Sequence, residues 1–212
     1  GVGSHLSQYV KDERVLDTFV EIELLVALLG GLSASALFAV FAWSGESFRL
    51  TLYALVFLTG AMVGMEIPLV MRLLHQREQR FAELVSRVLT FDYLGALAVS
   101  LLFPIVLAPR LGLARSALLF GLSNVAVALW TCRVFRAELL RPTVQYLRSL
   151  LVLLVLGGGF IAADELTRWN EKAIYGDDVI HAETTPYQRL VLTRWKGDLR
   201  LYINGNLQFS SR

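Results

Sequence analysis

Five long apolar runs constrain this fold more than any motif does. They cover residues 20–43 (segment A), 50–74 (B), 91–108 (C), 113–134 (D) and 147–163 (E). A helix rises about 1.5 Å per residue, and the hydrocarbon core of a bilayer is about 30 Å thick. Segments A, B and D span that thickness easily, and C just does. Segment E is short: its uncharged part, residues 149–163, covers only about 22 Å. Composition agrees. The chain is 55% hydrophobic and 18% charged, where a soluble domain carries about 25% charged residues. The charges also cluster between the runs. The sequence therefore predicts a multi-pass α-helical membrane bundle of about five transmembrane helices over residues 1–166.

Small residues recur inside the runs at helix-packing spacings. Gly60 and Gly64 form a GxxxG in B, A carries "GGLSASA" and E carries "GGG". Small residues let helix backbones approach closely in lipid, or in E mark a break. Arginines set an orientation. Arg72, Arg77, Arg80 and Arg87 surround one loop, and Arg133, Arg136, Arg141 and Arg148 another. Placing basic loops inside gives an inner-membrane, multi-pass arrangement. A net charge of +2 gives no support for a nucleic-acid partner. Cys132 is the one cysteine, so no internal disulfide forms. It reads as a small buried residue.

The character changes after E. Residues 167–178 read as a polar linker. Residues 179–212 read as a small antiparallel β-meander, with period-two runs at 179–184, 187–195, 198–204 and 206–210. "WKGD" and "NGN" interrupt these runs. Asn204-Gly205 is a favoured pair for a type I′ hairpin, where both central residues take positive φ. One face collects Gln188, Leu190 and Leu192, then Leu199, Leu201 and Ile203, then Leu207 and Phe209. So few strands with an uncovered apolar face are marginal alone. Further chain is expected to cover that face, and residues 1–212 read as a piece of a longer protein.

The stretch "TPYQRLVLTRWKGDLRLYINGNLQFSS" resembles the N-terminal strand region of the polyamine aminopropyltransferases, the spermidine synthase family. The Tyr-Gln pair opening a strand carries the resemblance, together with the strand–turn–strand spacing and "LYINGNLQFSS". Upstream, "GVGSHLS", "EIELLVALLGG", "GMEIPLVMRLL", "FDYLGALAVSLLFP" and "LGLARSALLFGLSN" are similar to a membrane-integral branch of that family. The resemblance implies decarboxylated S-adenosylmethionine as co-substrate and a diamine such as putrescine as acceptor. It implies a Rossmann-like domain beyond Arg212 that holds the catalytic acids, so residues 1–212 alone are expected to be inactive. It carries over Gln188 as a substrate-binding residue, and places Gln208 in the matching segment with a less defined role.

Other candidates come from the residues themselves. Glu66 lies deepest in the apolar region, and an intramembrane carboxylate is a functional candidate by default. Glu21, Glu23 and Asp92 read as helix N-terminal residues favoured by the dipole, or as members of a cluster with Glu66 that receives a cation or proton. Asn124 reads as an interhelical hydrogen bonder. His181 has no companion at ligand spacing, so no metal is expected. Two other functions stay open. One is transport or sensing of a polyamine or small cation, with the β region as a binding module. The other is a membrane anchor for a degenerate synthase domain. The sequence leaves open a homo-oligomer and the side of the membrane on which the meander lies.

Overall fold

The structure, a computed structural model, describes residues 1–75, 81–185 and 187–212. A short helix α1 (Val2–Ser7) leads into α2 (Val15–Trp43), followed by α3 (Phe48–His75), α4 (Phe81–Leu102), α5 (Ala108–Val134) and α6 (Pro142–Tyr175). Four stretches are long and apolar enough to cross a membrane: Asp12–Trp43, Phe48–His75, Val85–Val134 and Pro142–Tyr175. The third contains a break. Pro104, which has no N–H to donate, lies in a wide π turn, Phe103–Leu107, after α4. Gly112 then takes φ +74° inside α5, a conformation that favours glycine. The chain folds back there, because the Phe103 and Phe120 rings stand 6.4 Å apart. A straight helix would separate those residues by about 25 Å.

The main core lies between α2, α5 and α6. Leu16, Val20, Leu24 and Ala27 meet Leu118, Val125 and Ala128, and Val152, Leu156 and Ala163 close the third side. A second cluster joins α2 to α3 through Val15, Phe19, Ile22, Val26 and Leu69. Some of the small residues sit at the crossings, whereas a Cβ on Gly60 of the GxxxG would meet nothing within 4 Å. A Cβ added to Gly121 would stand 2.6 Å from the Ala27 carbonyl oxygen and 3.0 Å from the Gly31 Cα. Gly64 receives Gly3 of α1, and Gly159 lies against Leu118. The "GGG" run is uninterrupted helix rather than a break, and of its three glycines only Gly159 meets a neighbour among the described residues. The apolar exterior is extensive: Leu50, Phe91, Trp130 and Ile161 are 75%, 75%, 71% and 81% exposed.

Two boundaries differ from the sequence reading. Helix α4 begins at Phe81, well before residue 91, because residues 81–90 carry helix formers without Gly or Pro. The stretch read as a linker is the last part of α6. Its 34 residues span about 51 Å, and Arg168 pairs with Glu165 one turn earlier at 2.8 Å. Gly176, at φ +66°, ends the helix, with its N–H donating to the Lys172 carbonyl at 3.0 Å.

The sheet follows two residues later as β1 (Asp178–Thr184), β2 (Arg189–Trp195), β3 (Asp198–Ile203) and β4 (Asn206–Ser210), all antiparallel in sequence order. Asn204 and Gly205 have φ +50° and +82°, and Lys196 and Gly197 have +47° and +85°. Both tight turns thus take the positive-φ pair that matches strand twist. The leucine face forms as expected: Leu190, Leu192 and Arg194 pair with Ile203, Leu201 and Leu199. The helix covers the opposite face, where Val191 and Thr193 are fully buried. Tyr175 of α6 stacks on Tyr202 with centroids 4.6 Å apart. A bulge corrects the last strand: Leu207 pairs with Tyr202 and Phe209 with Leu201, leaving Gln208 between them unmatched.

Candidate functional site

The end of the bundle nearest the sheet holds two chambers with a common wall. The first, about 770 Å³, is apolar, with Leu37, Phe38, Phe41, Phe120 and Ile174 in its lining. The second, about 910 Å³, is polar and lies between the Gly112 turn, the last part of α6 and strands β1 and β2. Phe38, Leu113, Glu171, Arg189 and Asn204 line both. Both volumes fall within the range of small-molecule sites.

An ion pair sits in the common wall. Arg189 Nε of β2 donates to Glu171 Oε1 of α6 at 2.6 Å. Glu171 is 2% exposed, and its Oε2 has no hydrogen-bond partner among the described residues. Asn204 braces the same corner, its Oδ1 accepting from the Arg189 backbone N–H at 2.9 Å. In the polar chamber Arg115 pairs with Asp164 at 2.8 Å. Of these groups the sequence pattern singles out only Asn204, as a turn residue, and Glu171 is hidden because residues 167–178 read as a linker. A helical reading of that stretch puts Asp164, Thr167, Arg168, Glu171 and Tyr175 on one face at i, i+3, i+4 spacing.

Gln188 lines the polar chamber. It precedes β2 rather than opening it, and is half-buried. Its carbonyl accepts from the Thr185 N–H and hydroxyl, both at 2.9 Å, while its own N–H donates to Thr185 Oγ1 at 3.1 Å. Pro186, next to this turn, lies outside the described residues. Gln208 lies elsewhere. It is exposed on the edge strand β4 and lines neither chamber, so the structure does not bring the two glutamines into one site.

The carboxylates of the bundle are not N-terminal. Asp92 lies three turns into α4, and Glu21 and Glu23 lie two turns into α2. The dipole account therefore does not hold them. Glu21 accepts from Arg148 at 2.9 Å. Glu23 and Glu66 are within electrostatic range of each other, as are Glu66 and Asp92. Glu66 Oε1 is buried without a hydrogen-bond partner among the described residues. Asn124 has no side-chain partner among them either and lines the apolar chamber. No group of three or more His, Cys, Asp or Glu among the described residues is placed to hold a metal ion.

The whole chain is 62% identical over 217 residues to the polyamine aminopropyltransferase 2 of Ralstonia nicotianae. It is 45% identical over 212 residues to the polyamine aminopropyltransferase of Leptospira interrogans, and 33% over 213 to the polyamine aminopropyltransferase 2 of Aquifex aeolicus. This chain is a homologue of the polyamine aminopropyltransferases. It spans 42% of the length of each of these three aminopropyltransferases. No protein-family model and no solved structure matches it. The aminopropyltransferase homology covers the helices as well as the sheet, since the alignments take in all of the chain.

Proposed function

We propose that this chain is the membrane-embedded helical part and first sheet of a polyamine aminopropyltransferase of the inner membrane. Identity of 62% across the whole chain to relatives of that name carries the reading. In the whole protein, an amine nitrogen of a diamine such as putrescine attacks the aminopropyl carbon next to the sulfonium of decarboxylated S-adenosylmethionine. The new C–N bond forms as the C–S bond breaks, methylthioadenosine leaves, and the nitrogen gives up a proton to a general base. Gln188, in the wall of the polar chamber beside the sheet, is the residue of this chain we assign to the S-adenosyl-type substrate. The catalytic acids belong to the part of the aminopropyltransferase length that this chain does not span.

Membrane embedding is supported by the inside-out distribution of apolar surface. Every residue of α4 from 91 to 102 is exposed, and nine of these twelve are neither charged nor hydroxylated. A soluble protein does not leave a patch of that size uncovered. The leucine face of the sheet is the surface on which we place the remainder of a protein of the relatives' length.

The test is direct. Full-length protein purified in detergent is given decarboxylated S-adenosylmethionine and putrescine, and spermidine and methylthioadenosine are quantified. Both products are expected in equal amounts; their absence with every diamine tried sinks the reading. A second reading, cation handling by the helices, is favoured by one observation. Glu23, Glu66 and Asp92 come from three helices, and none has an ion pair among the described residues.

A further inference from the structure

Side-chain contacts fix which helix ends lie together. At one end of the bundle Arg72, near the end of α3, donates to the Ser7 carbonyl, ahead of α2, at 2.9 Å. Asp17, near the start of α2, accepts from the Leu140 N–H of the α5–α6 link at 3.1 Å, and Glu21 accepts from Arg148 of α6 at 2.9 Å. At the other end the Trp43 ring of α2 lies 5.6 Å from the Trp169 ring of α6, and Phe103 meets Phe120 across the Gly112 turn. The sheet stands at this second end, where Arg189 bonds Glu171. Helix α6 therefore runs the whole way between the two ends alongside α2. About 33 Å of α2 separates Glu21 from Trp43, and about 32 Å of α6 separates their partners Arg148 and Trp169. Both lengths match a hydrocarbon core of about 30 Å, and tryptophans favour its boundary. The uncharged part of α6 is shorter, but the charges that flank it are matched, Arg148 by Glu21 and Asp164 by Arg115.

Basic residues are uneven between the two ends. The end away from the sheet holds Lys11 and Arg14 before α2, Arg72 and Arg87 on either side of the α3–α4 link, and Arg133, Arg136 and Arg141 around the α5–α6 link. The sheet end has only Arg49, Arg110 and Arg115 at its two links, with Arg168 and Lys172 on the last part of α6. Short loops rich in Lys and Arg stay in the cytoplasm, whereas a long domain crosses largely regardless of its charge. We propose that the sheet and the polar chamber face the outer side of the membrane, so that the acceptor amine and its co-substrate reach Gln188 from outside the cytoplasm. The sulfonium of the co-substrate is charged at every pH, and a diamine is charged near neutrality, so neither passes through lipid unaided. A transport step must then supply whichever of them is made in the cytoplasm. The inference rests on the membrane reading above, and it deepens the transferase reading by giving its substrates a side.

Single cysteines added to the full-length protein test the side. Cys132 is buried, so the native protein gives the background labelling. Ser44→Cys, Thr143→Cys and Asn206→Cys place thiols at exposed positions in the α2–α3 link, at the start of α6 and in β4. A membrane-impermeant maleimide is added to intact spheroplasts and to lysed ones. Ser44→Cys and Asn206→Cys are expected to label in both, and Thr143→Cys only after lysis. Labelling of Ser44→Cys without Asn206→Cys in intact spheroplasts would mean that α6 does not cross. Labelling of Thr143→Cys alone would mean that the bundle is inverted. Either result overturns the proposal. Release of the protein by carbonate washing, with no thiol labelled before lysis, would defeat the membrane reading and the proposal with it. The transferase reading is judged apart, because product formation in detergent does not depend on orientation. Sealed right-side-out vesicles given both substrates in the medium should form spermidine at once, and inverted vesicles only after permeabilisation. The reverse order, with activity retained in detergent, would put the site on the cytoplasmic face and sink this inference alone.

Discussion

Gly31 of α2 and Gly121 of α5 meet backbone to backbone, and a Cβ on Gly121 would lie 3.0 Å from the Gly31 Cα. This contact sets how closely the two helices at the centre of the main core approach. The Leu156 side chain lies against both glycines, so α6 has no room to yield. Replacing Gly121 with Leu is expected to destabilise the protein by about 1–3 kcal/mol through overpacking. Gly30, one residue before Gly31, is the control. Open space surrounds it, so Gly30→Ala should be neutral or stabilise by up to about 1 kcal/mol. Thermal scanning of the purified protein separates the two cases. Equal midpoints would mean that the helices do not touch here.

The bond from Arg189 Nε to Glu171 Oε1, at 2.6 Å, ties the sheet to the end of α6. Arg189 is 29% exposed on its side chain and Glu171 only 2%. Removing one partner of a fully buried pair costs about 3–5 kcal/mol, and the exposure of Arg189 lowers that to about 1–3 kcal/mol. Glu171→Ala should therefore loosen the sheet more than the bundle. Faster hydrogen exchange in residues 189–195, with little change in 118–132, is the expected pattern. The double variant Glu171→Leu with Arg189→Leu should lose less than the single variants together, because no charge is stranded.

The hairpins were readable because their rule is local. Asn204-Gly205 takes positive φ at both residues wherever two strands meet in a two-residue turn, and the structure has it so. The packed face of the sheet was not readable. The pattern asks for further chain over the leucines at 190, 192, 199 and 201, and it gives no sign that α6 packs on the opposite face of Val191, Thr193 and Tyr202. That outcome depends on Glu171 and Tyr175 arriving on a helix, with Asp177 just beyond its end, and the polar composition of "DELTRWNEKAIY" conceals its helical period. The mis-set start of α4 has the same root. Polar residues of 81–90 were assigned to a loop, which moved Asp92 to a helix end it does not occupy. The bulge that leaves Gln208 unmatched was not readable either, because no alternation pattern announces one.

Asp198 gathers three donors at the end of the sheet. Ser210 Oγ lies 2.8 Å away, Arg200 Nε 2.9 Å and Ser211 Oγ 2.9 Å. The Ser210 hydroxyl, followed by Arg200 and Ser211, holds its carboxyl down at about 2, against an opposing effect of burial. A carboxyl lowered on folding contributes stability that is complete above its unfolded value, near 3.8, and is lost as pH falls towards about 2. The β3–β4 hairpin should therefore loosen between about pH 4 and pH 2. Hydrogen exchange over residues 199–210 measures it. Asp198→Asn should remove that acid-dependent step, and Ser210→Ala should move it to higher pH. A hairpin equally protected at both ends of the window in the native protein would show that these donors do not hold the charged form.

Glu66 separates the two functional readings. It projects from α3 into the region of Glu23 on α2 and Asp92 on α4, and its Oε1 is buried without a donor. A carboxylate in that position is costly within a membrane, and two like-charged neighbours raise the cost. If the group serves only packing, an amide of the same shape should be tolerated. Glu66→Gln should then leave the thermal midpoint unchanged or higher, and leave aminopropyl transfer by the full-length protein largely intact. If the three carboxylates hold a cation, the same variant should abolish uptake of labelled spermidine into vesicles that contain the protein. We expect transfer to survive, because Gln188 and the polar chamber lie at the sheet end while Glu66 lies between α2, α3 and α4. Loss of transfer in a folded Glu66→Gln protein would instead place this cluster in the path of the reacting amine.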